Sequence, residues 1–319
     1  MNAAAKLISS TLIKQQHPSH LLLRSAKTLK KSLEIEWTDG LKAEFPYCWL
    51  RDISTKRPAL VHLDVNTRPE HVEVQQSQES INVLWPSFVN LSYSSTFLRD
   101  NAIHNPSTSS SPTDHSNEDI LQHPISASEQ ILQGKLFLST HQTSIAPSLI
   151  MGQCEWNSSA QEPGTLWPHY ETIPSVCVVD ALSTSSTMIP AELTLIDTFE
   201  VLTKMSKEHP KEFEFLQKCK LEYSDGGGLF RALHPIYDLN SAGTQILSAT
   251  FNNTSRSSAI TTPCLETLYI SLQKFGRVSA ECSKTLTLFP GRRLIVNNSR
   301  AMLGCPAQAY RRLLLRFLN

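Results

Sequence analysis

The chain carries no excess of either charge. Its 29 Lys and Arg are matched by 29 Asp and Glu, so there is no basic face to announce a nucleic-acid partner. It has no Cys-x-x-Cys pair. The seven cysteines are odd in number and scattered, which argues against a disulfide framework and for a reducing compartment. No apolar run is long enough to cross a bilayer as a helix, so no membrane partner is expected. The first 33 residues contain no acidic residue and no sustained apolar segment, which excludes a secretory signal. Apolar residues make up 40% of the chain, a modest share beside abundant Ser and Thr, so part of the sequence is expected to stay outside a packed core. What remains is long enough for one large domain or two smaller ones.

The acid-free N-terminus is spaced with Lys6, Lys14, Arg24, Lys27, Lys30 and Lys31 among Ala, Ser and Leu. Residues 1–32 therefore read as a basic extension: either a mitochondrial transit peptide or an unstructured arm, placing the protein in mitochondria or cytoplasm. Residues 33–100 read as a small β domain. Leu33, Ile35 and Trp37 alternate with polar residues, Asp39-Gly40 marks a hairpin turn, and apolar runs recur at 45–50, 72–74 and 81–85. Residues 101–163 are rich in Ser, Asn and Gln around one amphipathic stretch (129–137), and 102–123 reads as a flexible linker. An exon boundary misread in the gene would produce the same kind of polar insert.

From Gly164 onward, order returns. Ile173 to Val179 and Leu193 to Asp197 read as strands. Thr198 is placed to cap a helix with a stripe of Phe199, Val201, Leu202 and Met205, and Pro210 to open a second helix burying Phe213 and Leu216. At the C-terminus, Pro290-Gly291 forms a turn before the apolar run 294–296. A polar corner, Asn297 to Arg300, leads to a final apolar run with Arg311, Arg312 and Arg316. Two strands joined by such a corner, with an arginine at the second, suit an anion clamp at a barrel mouth.

These C-terminal residues resemble the last core strands of the gamma-butyrobetaine and trimethyllysine dioxygenases, which are Fe(II)/2-oxoglutarate oxygenases. Pro290, Gly291, Asn298, Arg300, Gly304, Tyr310 and Arg311 fall on that pattern. The segment Trp37-x-Asp39-Gly40 followed by Trp49-Leu50-Arg51-Asp52 is similar to the same family's N-terminal domain, and Phe251-Asn252-Asn253 with Arg256 to one of its core strands. The resemblance implies a mostly β protein with a few helices: a double-stranded β-helix (jelly-roll) core over 164–319, complete or shortened, plus the small N-terminal β domain. It implies Fe(II) and 2-oxoglutarate as cofactors and hydroxylation of a small substrate, one carrying a trimethylammonium group or a secondary metabolite.

Such an oxygenase needs two histidines and a carboxylate on one face of iron. On the family register those three positions are Gly164, Leu166 and Leu303, none of which has a donor atom. A slipped register offers His169 and Glu171 as metal ligands, with His234 or His141 as the third. Arg311 occupies the place of the family's co-substrate arginine, and Arg256 and Asn252 match further cofactor-binding positions. Trp167, Tyr170 and Tyr223 could cage a trimethylammonium group or simply pack. No zinc is expected, because Cys48 and His62 alone do not make a site. Three readings follow: an oxygenase; a non-catalytic relative that binds a small acid or a protein, a homodimer being compatible with it; or a true dioxygenase whose gene has been misread.

Overall fold

The computed structural model describes residues 22–53, 57–103, 137–139, 150–157, 161–182, 190–259, 261–262, 264–306 and 312–318. Two compact units share the chain. One comprises residues up to Tyr47 together with Thr67–Ile103, the other Cys48–Asn66 together with the chain from His104 on.

The first unit is two antiparallel meanders. Strands β1 (Leu23–Thr28), β2 (Ser32–Trp37) and β3 (Lys42–Pro46) form one sheet; β4 (His71–Val74), β5 (Ser80–Trp85) and β6 (Val89–Ser94) form the other. The expected alternation holds: Leu33, Ile35 and Trp37 of β2 and Ile81, Val83 and Trp85 of β5 are all fully buried. Gly40 takes φ +89° in the β2–β3 turn, a backbone state that suits glycine. Trp37 Nε1 donates to Ser95 Oγ at 2.9 Å, so the indole's only polar atom is satisfied in the core. The run 45–50 is not one strand: Phe45 ends β3, and Tyr47–Asp52 turns into a short helix, α1. Strand β1 begins inside the stretch expected to be a basic extension.

The second unit holds two facing sheets. Strands β7 (Phe137–Ser139), β8 (Ile150–Asn157), β9 (Gln161–Gly164), β10 (Val176–Ala181) and β11 (Ala191–Asp197) come first. Two hairpins follow, β12 (Lys220–Ser224) with β13 (Arg231–Pro235) and β14 (Tyr237–Leu239) with β15 (Ile246–Ala249). The last strands are β16 (Ser283–Leu288), β17 (Arg293–Asn297), β18 (Ala301–Cys305) and β19 (Arg312–Leu318). One sheet runs β7-β17-β10-β19-β8 and the other β16-β11-β18-β9. Eight strands, β8 to β11 and β16 to β19, thus lie four in each sheet, in antiparallel pairs, and the chain crosses repeatedly between the two. This is the double-stranded β-helix, complete in its eight strands. Strands β7, β8 and β9 all come from the stretch expected to be a linker or shortened segment; of the expected linker 102–123, residues 102–103 end helix α2 (Ser95–Ile103) and 104–123 lie outside the described residues.

Alternation along each strand sends one set of side chains inward. Cys177, Val179 and Ala181 of β10, Leu193 of β11, Leu294 and Val296 of β17, Leu303 of β18 and Leu313, Leu315 and Phe317 of β19 form one buried cluster between the sheets. Three helices complete the unit: α3 (Thr198–Glu208), α4 (Pro210–Lys218) and α5 (Leu265–Glu281). Asp197, not Thr198, caps α3, accepting from Phe199 N at 3.0 Å. A carboxylate one residue earlier reaches the second free N–H of the helix and also takes the guanidinium of Arg300.

Trp167 has φ +55°, unusual for a bulky residue. Its ring stacks on Phe317 with centroids 3.7 Å apart. It lies directly over Gly152 of β8, where an added Cβ would come within 2.5 Å of the indole. The missing side chain at Gly152 is therefore what lets Trp167 fill this part of the barrel. Gly152→Ala should expel the indole at a cost of about 1–3 kcal/mol, read as a red-shifted tryptophan emission and a lower urea midpoint; unchanged emission would contradict the placement.

Candidate functional site

The polar centre of the second unit is a buried ion pair. Asp52, at the end of α1, is fully buried and accepts from Arg256 Nη1 at 2.8 Å and Nη2 at 2.7 Å. Tyr269 Oη on α5 donates to the same carboxylate at 2.9 Å, and Arg57 lies 3.6 Å away. Burial alone would raise the Asp52 pKa; the charge and hydrogen bonds of Arg256, with Arg57 and Tyr269, outweigh it and hold the carboxylate below its ordinary range. Arg256, expected as a co-substrate residue, is committed here. Both its terminal nitrogens face Asp52, and Nη2 also reaches Asn253 Oδ1 at 3.0 Å. The segment 251–256 is a turn rather than a strand, held at its far end by this guanidinium.

That turn presses on the metal positions of the family register. Thr165 N donates to Phe251 O at 2.7 Å, Thr165 Oγ1 accepts from Phe251 N at 3.0 Å, and Asn252 Nδ2 donates to Thr165 O at 3.0 Å. Asn252, the other expected cofactor residue, thereby stands against Gly164: a Cβ added at Gly164 would meet Asn252 Cγ and Nδ2 at 2.7 Å. From the other side Asn298, 1% exposed, clamps Leu166. Its Oδ1 accepts from Leu166 N at 2.8 Å, and its Nδ2 donates to Leu166 O and Pro174 O at 2.8 and 2.9 Å.

Gly164, Leu166 and Leu303 do converge. Gly164 of β9 is the register partner of Leu303 of β18, and Leu166 and Leu303 share the inner cluster at 7% and 1% exposure. Their arrangement offers hydrocarbon only. A divalent ion there would lose its water without gaining oxygen or nitrogen ligands, at a cost far above any folding margin. The donor set at these positions does not fit iron.

The slipped register does not supply a substitute. His169 packs on Tyr170, centroids 4.8 Å apart, and its Nδ1 is buried with no hydrogen-bond partner among the described residues. Burial lowers its pKa, with the Asp225 charge opposing, so the ring tends to stay neutral. Glu171 is exposed. His234 does approach this loop, but its Nε2 meets the Tyr170 carbonyl at 2.9 Å. That carbonyl can only accept, so the nitrogen bears the proton and is closed to a metal. Among the described residues no three His, Cys, Asp or Glu side chains gather as a metal site. Tyr170 stands 5.5 Å from Trp167 and stacks on Phe230 at 5.3 Å, forming an aromatic line out from the barrel. Tyr223 takes no part in it: it is fully buried and donates to Thr250 O at 3.1 Å. Arg311 and His141 lie outside the described residues.

Asp52 and Asn298 stand in sequence motifs that give neither of them a role, yet both organise this site. The available signal was the type of residue: a carboxylate and an amide inside otherwise apolar motifs have to find buried partners.

No protein-family model matches the chain, and no curated protein does. Solved structures do. An asparagine oxygenase in complex with Fe(II), a hydroxyasparagine and succinate matches at 15% identity with a TM-score of 0.41, over 50% of this chain and 50% of that one. A taurine dioxygenase from Burkholderia xenovorans matches at 10% identity and a TM-score of 0.39, over 57% of this chain and 63% of that one. The non-heme iron oxygenase OrfP with Fe matches at 12% and 0.38, over 52% and 55%. The chain thus spans between half and just under two-thirds of these proteins.

The buried pair predicts two measurable effects. Arg256→Met, which leaves Asp52 charged and alone, should cost about 3–5 kcal/mol in urea unfolding. Because the folded-state pKa of Asp52 is depressed, its contribution is complete above the unfolded value of about 3.9 and is lost as pH falls through the lower folded value. Asp52→Asn should therefore flatten the loss of stability below about pH 4. An equally steep acid limb in that variant would show that the pair is not ionised.

Proposed function

We propose that this chain is a jelly-roll protein of the Fe(II)/2-oxoglutarate oxygenase type whose barrel does not assemble a metal centre, and that it acts by binding rather than by oxidation. One observation carries the reading. The three positions that the family resemblance assigns to iron meet inside the barrel as Gly164, Leu166 and Leu303, with Asn252 standing where a side chain at Gly164 would project. Iron would supply dioxygen activation, and that chemistry has no starting point where its ligands are missing. What the chain's own residues do is close the site. Leu166 and Leu303 fill it with hydrocarbon, Trp167 takes up the space over Gly152, and Asn298 holds both the amide and the carbonyl of Leu166. The ligand class expected of such a relative is a small acid held by Arg311, or a protein partner.

The test is anaerobic addition of Fe(II) and 2-oxoglutarate to the purified protein. No metal-to-ligand charge-transfer band and no succinate on admitting air are expected, whereas either signal would restore the oxygenase reading, with ligands drawn from outside the described residues. Rebuilding the triad supplies the converse. Gly164→His, Leu166→Asp and Leu303→His together should bind Fe(II) only when Asn252→Gly removes the Cγ and Nδ2 contacts at 2.7 Å and lets the turn yield at Asn252 Cα, 3.0 Å away, and stoichiometric iron in the triple variant without that change would refute the role given to Asn252.

A further inference from the structure

A groove of about 820 Å³ lies between helix α3, the β14–β15 hairpin and the corner that joins β17 to β18. Phe199 on α3, Phe213 on α4, Leu239 of β14 and Ile246 of β15 supply its hydrocarbon. Phe213 is fixed in place by stacking on Tyr237, with centroids 4.6 Å apart. Among the described residues that line the groove, Arg300 is the one that carries a charge.

Arg300 is held from two directions. Its Nε donates to Asp197 Oδ1 at 3.0 Å and its Nη2 to Asp197 Oδ2 at 2.6 Å, while the guanidinium carbon sits 5.0 Å over the Phe199 ring. Asp197 is fixed in turn, because Oδ1 also caps α3. The guanidinium is therefore positioned before any ligand arrives. Such a group has a side-on fork, Nε with Nη2, and an end-on fork, Nη1 with Nη2, and each matches the two oxygens of a carboxylate. Asp197 occupies the side-on fork. The end-on fork has no hydrogen-bond or ion-pair partner among the described residues, and the side chain is 30% exposed. Asp197 does not cancel the charge at that edge. A carboxylate placed there would lie nearer to the guanidinium than to Asp197 on the far side, and Coulomb energy falls with distance.

We propose that this groove binds a small monocarboxylate with an aromatic body, its two oxygens on the end-on fork of Arg300 and its ring against Phe199 and Phe213. The site requires neither Arg311 nor a metal. Calorimetric titration of the full chain with 3-phenylpropanoate should give saturable binding. 3-Phenylpropanamide, which has the same shape without the charge, should bind at least about tenfold more weakly. Arg300→Lys, with its fold checked by circular dichroism, keeps a cation for Asp197 but has no second fork, and should weaken 3-phenylpropanoate about tenfold. Thr203→Trp, at an exposed lining position on α3, leaves both Arg300 and Asp197 in place and should block the groove. Arg311→Ala should leave this binding unchanged. Acid binding that is lost in Arg311→Ala yet intact in Arg300→Lys would assign the acid to Arg311 and overturn the proposal. So would an absence of saturable 3-phenylpropanoate binding, equal binding of acid and amide, or indifference to Thr203→Trp.

Discussion

The organisation of the second unit depends on the buried carboxylate of Asp52. Left alone in that position it would be untenable. With Arg256 gripping both oxygens and Tyr269 donating to one of them, it becomes the point where α1, α5 and the 251–256 turn are joined. An apolar trio of similar volume could hold the same elements at no greater cost. What the ion pair adds is geometry, because a bidentate guanidinium accepts one orientation of the turn that carries it. That orientation sets Asn252 against Gly164 and Thr165 and puts Asn253 beside Glu162. The chemistry of the barrel rim is thus decided some distance from the rim.

The positions that the family resemblance assigns to iron show the same logic from the inside. A double-stranded β-helix has an interior that must be filled by side chains or by a liganded cofactor. In this chain Leu166 and Leu303 take the volume, and Trp167 is drawn in over Gly152 to stack on Phe317, in spite of a backbone conformation that costs a non-glycine residue of order 1–2 kcal/mol. Burying an indole on an aromatic partner more than offsets that strain. Each of these residues is an ordinary packing solution. Taken together they line this part of the interior with hydrocarbon.

Much of this was legible in the sequence because it is periodic. Alternation exposed β2, continuous apolar runs exposed β5, β10 and β11, and the Pro290-Gly291 turn announced the C-terminal strands. The run 45–50 misled, since apolar residues at Tyr47, Trp49 and Leu50 serve a short helix as readily as a strand, and burial on several sides leaves no period to read. Strands β8 and β9 escaped notice in a segment dominated by polar and small residues; they are defined by pairing with β19 and β18, a non-local fact. The C-terminal corner joins β17 to β18 in different sheets, so three strands stand where two were expected.

The site residues divide along the same line. The motif assigns positions 164, 166 and 303; β9–β18 pairing sets Gly164 beside Leu303, and Leu166 joins Leu303 in the inner cluster. Arg256, matched by the motif to a co-substrate position, pairs with Asp52 in the structure; a motif records that a cation is present and says nothing of which anion it faces. Within reach of its guanidinium are Asp52, from 204 residues earlier in the chain, and the turn that carries Arg256 itself. For a fully desolvated cation the nearest buried carboxylate is the partner that physics selects, since any other arrangement would strand two charges instead of pairing them. The two faces of β18 show the uncharged counterpart. Leu303 packs into the apolar inner cluster, whereas Met302 on the other face lines a groove with Phe251 and Phe275, so hydrocarbon covers this strand on both sides.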